Sequence, residues 1–168
     1  MLVSAVRSRV PDVSTHPNVQ LVADALAAAG AVGEIKILDD AVPTAAAAAE
    51  ELGCEVGAIA NSLIFDGDGS PVLILTSGAH RVDTAKVAAE LGIGKLRRAT
   101  PEFVKEHTGQ SIGGVAPVGH PRPVRTLVDI TLDQYAEVWA AAGIPHSIFP
   151  TTYAELLKLT NGTPVTVN

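Results

Sequence analysis

Thirteen residues constrain this chain more than any others: Ser111-Ile-Gly-Gly-Val-Ala-Pro-Val-Gly-His-Pro-Arg-Pro123. Gly113, Gly114, Pro117, Gly119, Pro121 and Pro123 break it repeatedly, so it holds neither a helix nor a sheet ladder. Regular structure must therefore be assembled from segments on both sides of a long loop. Loops of this length inside a compact domain usually carry function. Two adjacent glycines let backbone N–H groups converge on one point without side-chain obstruction, which suits a carbonyl or an oxyanion. Pro117 downstream would stiffen that geometry. The same residues also suit a plain turn.

Upstream, helical and extended patterns succeed one another under clear punctuation. Residues 1–10 read as a short extended or helical lead-in. From Asn18, the residues Val19, Leu21, Val22, Ala25, Leu26 and Ala29 recur at helical spacing and stop at Gly30. Glu34–Leu38 alternates polar and apolar, as a strand does. Thr44 precedes an alanine run ending at Gly53, a strong helix. Residues 57–65 and 71–76 are apolar runs around Asp66-Gly-Asp-Gly-Ser70, which predicts a β-hairpin. Asp83 is placed to cap a helix ending at Gly92, and Thr100-Pro101 opens another ending near Gly109.

Beyond the loop, strands are predicted at 124–130, 137–142 and 146–149, then a helix over Thr152–Leu159 before Asn161-Gly162. The mixture lacks strict βαβ alternation, which predicts a mixed sheet with helices packed on it. At 168 residues, without repeat or linker, one domain over 1–168 is expected.

Several function classes fall on composition and motif. No apolar run reaches the ~18 residues of a membrane helix, and residues 1–10 do not read as a signal peptide. One cysteine, Cys54, excludes an internal disulfide and a cysteine-rich zinc site, and reads as a small buried hydrophobe. His16, His80, His107, His120 and His146 are scattered without ligand spacing, so no metal or cofactor is expected. There is no Gly-x-Ser-x-Gly elbow, Walker loop or dinucleotide fingerprint. The cytoplasm is the consistent compartment.

A net charge of −6 argues against tight nonspecific nucleic-acid binding. It leaves room for local basic clusters: Arg81, Lys86, Lys95, Arg97 and Arg98, with Arg122 and Arg125 as a second group. Asp129 stands out differently. Inside the apolar strand Leu127-Val-Asp-Ile130, its carboxylate must face solvent, a partner or a site.

The ordered set Ala58-Ile-Ala-Asn-Ser-Leu-Ile-Phe65, Thr76-Ser-Gly-Ala-His-Arg-Val-Asp83 with Lys86, Thr108-Gly109, Gly113-Gly-Val-Ala-Pro-Val-Gly119 and Val128-Asp-Ile130 resembles the YbaK-type aminoacyl-tRNA deacylase family. That family includes the Cys-tRNA(Pro) and Ala-tRNA(Pro) deacylases and the editing domain inserted in some prolyl-tRNA synthetases. The resemblance is strongest over 43–168. It implies an α/β (mixed α+β) fold with a bent, partly barrel-like mixed sheet flanked by helices. It also implies a pocket for the acceptor end of mischarged tRNA, with prolyl-tRNA synthetase as a possible partner.

Carried over residue by residue, the resemblance puts Gly113, Gly114 and Asp129 in the catalytic set with Asn61. Ser62, His80, Arg81, Lys86, Pro117, Gly119 and His120 are the expected substrate-binding residues. Where family members usually carry Lys in the strand motif, this chain has Asn61. Asn supplies no cation, although its amide donates and accepts hydrogen bonds.

Two functional classes follow. One is a trans-editing hydrolase for small amino acids, in which a backbone cradle stabilises the oxyanion and the tRNA's vicinal hydroxyl helps move the proton. The other is a non-catalytic binding module that lost hydrolysis with the change at Asn61; an adaptor without a ligand is a weaker third option. Convergence of Asn61, the Gly113–Gly119 loop and Asp129 on one pocket is the structural expectation.

Overall fold

The computed structural model describes residues 16–168, so the lead-in expected at 1–10 lies outside the described residues. Helix α1 spans Pro17–Ala28, with the His16 imidazole accepting from the Asn18 N–H at 3.1 Å. Helices α2 (Ala45–Leu52), α3 (Thr84–Leu91), α4 (Pro101–Thr108) and α5 (Tyr153–Thr160) follow one plan. Each starts at a Thr or Asp whose side chain accepts an orphan N–H: Thr44, Asp83, Thr100 and Thr152. Each ends on a left-handed residue: Gly53, Gly92, Gly109 and Asn161.

The strands are β1 (Lys36–Ile37), β2 (Ile59–Gly67), β3 (Ser70–Ser77), β4 (Leu96–Arg98), β5 (Arg125–Asp129), β6 (Val138–Ala141), β7 (Ser147–Thr151) and β8 (Thr163–Val165). They form one mixed sheet in the order β1-β7-β6-β2-β3-β5-β8, with β4 also paired to β2. The β2–β3 hairpin turns at Asp68-Gly69, both at positive φ, as a two-residue primed turn requires. β1 and β8 end the order without pairing to each other, so the sheet is open and not a closed barrel.

The expected strand at 34–38 shrinks to two residues, and the predicted 124–130 strand runs over Arg125–Asp129, with Ile130 opening a 3-10 turn that ends at Gln134. β4 and β8 were not anticipated. Three residues give no usable period, and Pro164 argues against a strand unless that strand is an edge, as β8 is.

The sheet's two faces are covered unequally. Val22 and Leu26 of α1, Val104 of α4, Leu156 of α5 and Val115-Ala116 of the glycine-rich loop pack on one face against Ala60, Ile64, Leu73 and Leu75. On the other face, Val87 and Ala88 of α3 meet Phe65, Val72 and Ile74, while Ala48 and Ala49 of α2 meet Ile59 and Trp139. Cys54 is only half-buried at that last cluster, and burial still pushes its thiol pKa upward. Among the described residues, no helix is long and apolar enough to cross a membrane.

Candidate active site

A gap in the sheet makes the site. β3 pairs with β2 over eight residues, Ala60 to Gly67, but the other edge of β2 is shared. β6 takes Ile59-Ala60 and β4 takes Phe65–Gly67, leaving residues 61–64 without a strand neighbour there. Hydrogen-bond parity fixes which main-chain groups face the gap. Pro71 lacks an N–H, so Asp66–Pro71 is a non-bonded pair, and so, two by two, are Ile64–Leu73 and Ser62–Leu75. The Gly78 N–H to Ile59 oxygen bond at 2.8 Å keeps the same phase. The N–H and C=O of Ser62 therefore point away from β3, into the gap.

A cavity of about 680 Å³ opens at this gap. Asn61, Leu63 and Phe65 line it on the α2–α3 face, while Ser62 and Ile64 line it on the other. Ala45 and Ala48 of the alanine run form part of the wall, so that run supplies room as well as helix propensity. Asn61 makes no side-chain hydrogen bond among the described residues. Thr76 stands opposite Asn61 in register, and its hydroxyl is buried without a partner, as is that of Ser62. Buried polar groups are nearly always paired, and leaving one unpaired costs ~1–3 kcal/mol. The Ser62 hydroxyl lines the cavity, whereas Thr76 lies outside its lining.

Asp129 does not itself line the cavity. It is 1% exposed and accepts from the Ser77 N–H and the Thr131 N–H, each at 3.0 Å. Its Oδ2 also lies 3.0 Å from His80 Nδ1, and His80 does line the cavity. The carboxylate expected at the reacting centre thus stands one residue behind it, because a strand interior buries this side chain.

The glycine-rich loop divides similarly. Gly113, at φ +94°, lines the cavity beside Pro43, and no described residue accepts its N–H. Gly114 does not line it: its N–H donates to Ser111 O and its carbonyl accepts from Gly143 N–H, both at 3.0 Å. Pro117 is buried outside the cavity lining, and Gly119, at φ +86°, packs on Val22 of α1. His120 braces the loop by donating from Nε2 to the Ala116 carbonyl at 2.8 Å, and desolvation lowers its pKa.

Nothing in the sequence flagged Gln110. Its buried amide accepts from the Ala116 N–H at 2.7 Å and donates to the Val118 carbonyl at 3.4 Å, tying the loop to the end of α4. Gln110→Leu should destabilise the protein by about 1–3 kcal/mol, the scale of an orphaned buried amide. Thermal denaturation checks this.

Of the expected cations, Arg81 lines the cavity, joined by Arg98 from β4. Among the described residues, neither pairs with a carboxylate. Lys86 does not join them. Its ammonium is held by main-chain oxygens of Thr166 and Asn168, at 3.3 and 2.7 Å, because α3 packs beside the C-terminal residues. Among the described residues, no cluster of three or more His, Cys, Asp or Glu stands ready for a metal ion.

Comparisons with known proteins agree with this architecture. The chain superposes with TM-score 0.85 on a crystal structure described as "a putative trans-editing enzyme for prolyl tRNA synthetase", at 42% identity over 91% of this chain and 98% of that one. An uncharacterized Bacillus subtilis protein, YwhH, is 36% identical over 65% of this chain and 69% of its own length. The proline–tRNA ligase of Levilactobacillus brevis is 33% identical over 56% of this chain, a match covering only 16% of the ligase. A model of the aminoacyl-tRNA editing domain matches residues 39–159, and the chain belongs to that family.

Proposed function

We propose that this chain, acting as one unit over residues 1–168, hydrolyses the ester of mischarged aminoacyl-tRNA in the cytoplasm. Its substrates are small amino acids on tRNA(Pro), and it edits in trans, beside prolyl-tRNA synthetase. The observation that carries this reading is the unclaimed polarity of the cavity: the Asn61 amide, the Ser62 hydroxyl and the Ser62 main chain. The volume, about 680 Å³, falls within the range of small-molecule sites and has room for an aminoacyl group and part of the terminal nucleoside.

In this account the α-amino group and ester carbonyl bind between Asn61 and Ser62. Arg81 and Arg98 face the phosphates of the acceptor end, which reconciles tRNA binding with an acidic chain. The Gly113 N–H is aimed to stabilise the oxyanion when water adds to the carbonyl carbon, an interaction whose loss typically costs ~10²–10³ in rate. Alanines on the wall leave space for a small side chain, and bulk beyond that space is rejected, the sieve logic of editing.

The test is release of free amino acid from tRNA(Pro) charged in turn with alanine, cysteine, serine and proline. Hydrolysis of a small mischarged residue with proline spared is expected. Tight binding without release from any of them would instead make the chain a binding module.

A further inference from the structure

The chain holds one tryptophan, Trp139, and places it half-buried at the cavity instead of inside the core. Strand register fixes its neighbours. Trp139 pairs with Ile59 across β6 and β2, so its side chain shares a face with Ile59 and with Asn61, two residues on. A strand spacing of ~4.8 Å and a rise of ~3.3 Å per residue set Trp139 and Asn61 about 8 Å apart at Cα. α2 packs Ala48 and Ala49 in the cluster that the indole joins. Over the ring, 5.1 Å from its centroid, stands the Lys36 ammonium. Lys36 comes from β1 opposite Ile148, which is itself opposite Ala141, so it rises on the same face of the sheet. It is exposed and, among the described residues, pairs with no carboxylate. An aromatic face covered by a flexible surface cation is one that a flat ligand can take. Base–aromatic stacking is stronger than an exposed cation–π contact, so a nucleobase can displace the ammonium.

We propose that Trp139 is the platform on which the terminal adenine of the tRNA stacks, in the place that the Lys36 ammonium holds in the empty protein. The assignment rests on the deacylase reading above and names the residue that holds the nucleoside. Three positions on one face of β2 carry it. Trp139 stands level with Ile59, Asn61 follows, and Arg98 stands level with Phe65 further along the strand. A 3′-terminal nucleotide has the same order: base at one end of the ribose, ester on its hydroxyl, phosphate at the other end. The separation of Trp139 and Asn61 suits one ribose between a stacked base and a bound ester. Every tRNA ends in adenosine, so the platform is blind to the amino acid, and selection stays with the wall of the pocket. An interaction made equally in ground and transition states lowers KM and leaves kcat alone.

Because Trp139 is the sole tryptophan, the intrinsic indole fluorescence of the intact chain reports on this ring alone. Uncharged tRNA(Pro) should quench it saturably. The same tRNA trimmed of its terminal adenosine should bind more weakly and quench less. With the mischarged tRNA(Pro) that is hydrolysed fastest, Trp139→Ala should raise KM about 5- to 150-fold with little change in kcat. Trp139→Phe keeps a stacking face and should recover most of that loss, which a merely structural role for the indole would not predict. Equal quenching by intact and trimmed tRNA would overturn the proposal, and so would a folded Trp139→Ala variant with the wild-type KM. Hydrolysis by a wild type whose emission no tRNA moves would overturn it too, while leaving the deacylase reading intact. Quenching that depends on the terminal adenosine, without hydrolysis of any charged tRNA, would keep the platform and remove the deacylase reading. Neither quenching nor hydrolysis would remove both.

Discussion

Gly114→Val is expected to cripple the fold before it touches the chemistry. A Cβ on Gly114 would lie 2.6, 2.7 and 2.8 Å from the carbonyl carbon and Cα of Ile144 and the nitrogen of Pro145. All three are main-chain atoms that no rotamer change can move. The same residue is tied at both ends, to Ser111 and to Gly143, so it cannot retreat without breaking two main-chain hydrogen bonds. Overpacking costs ~1–3 kcal/mol where neighbours can yield, and more where they cannot. For a chain of this size ~3 kcal/mol lowers Tm by roughly 6–12 °C, so poor accumulation or a large Tm loss is expected by thermal scanning. Adjacent glycines look equivalent in a sequence until their neighbours are known, so the sequence alone does not separate a blocked site from a broken fold. A Gly114→Val protein with wild-type Tm would mean that the β6–β7 turn is looser than its contacts indicate.

What the sequence disclosed, and what it withheld, follow the range of the forces involved. Helix ends were legible because capping is local: Thr44, Asp83, Thr100 and Thr152 lie within three residues of the N–H groups they satisfy. The hairpin was legible because Asp68-Gly69 is its own signal. The cavity was not, since a gap on one edge of β2 depends on where β4 and β6 stop pairing, and those partners lie over 28 and 70 residues away in sequence. Asp129 was legible as an anomaly, a carboxylate in an apolar strand, yet its contact with His80 needs the fold to bring positions 49 residues apart together. Lys86 shows the converse: a basic residue inside a suggestive motif, spent on main-chain oxygens of the C-terminal residues.

Asn61 separates stability from function more cleanly than any other position. Because its amide makes no hydrogen bond among the described residues, Asn61→Ala should leave Tm close to wild type. If that amide orients the substrate, the same variant should lose about 1–3 kcal/mol of transition-state stabilisation, roughly 5- to 150-fold in kcat/KM. Asn61→Lys should behave in the reverse sense. The cavity already holds Arg81 and Arg98, and no acidic side chain lines it. A third cation there is desolvated without a partner, so the empty protein should lose stability. The acceptor end of tRNA carries the missing negative charge, so binding should tighten, and the preferred amino acid should change as the ammonium competes for the ester carbonyl. Thermal scans of both variants with and without aminoacyl-tRNA, alongside deacylation rates, read all of these effects. Should Asn61→Lys create activity where wild type has none, Asn61 marks a site that binds without hydrolysing. Should both variants match wild type in Tm, binding and rate, the amide plays no part, and the ligand is held by Ser62 instead.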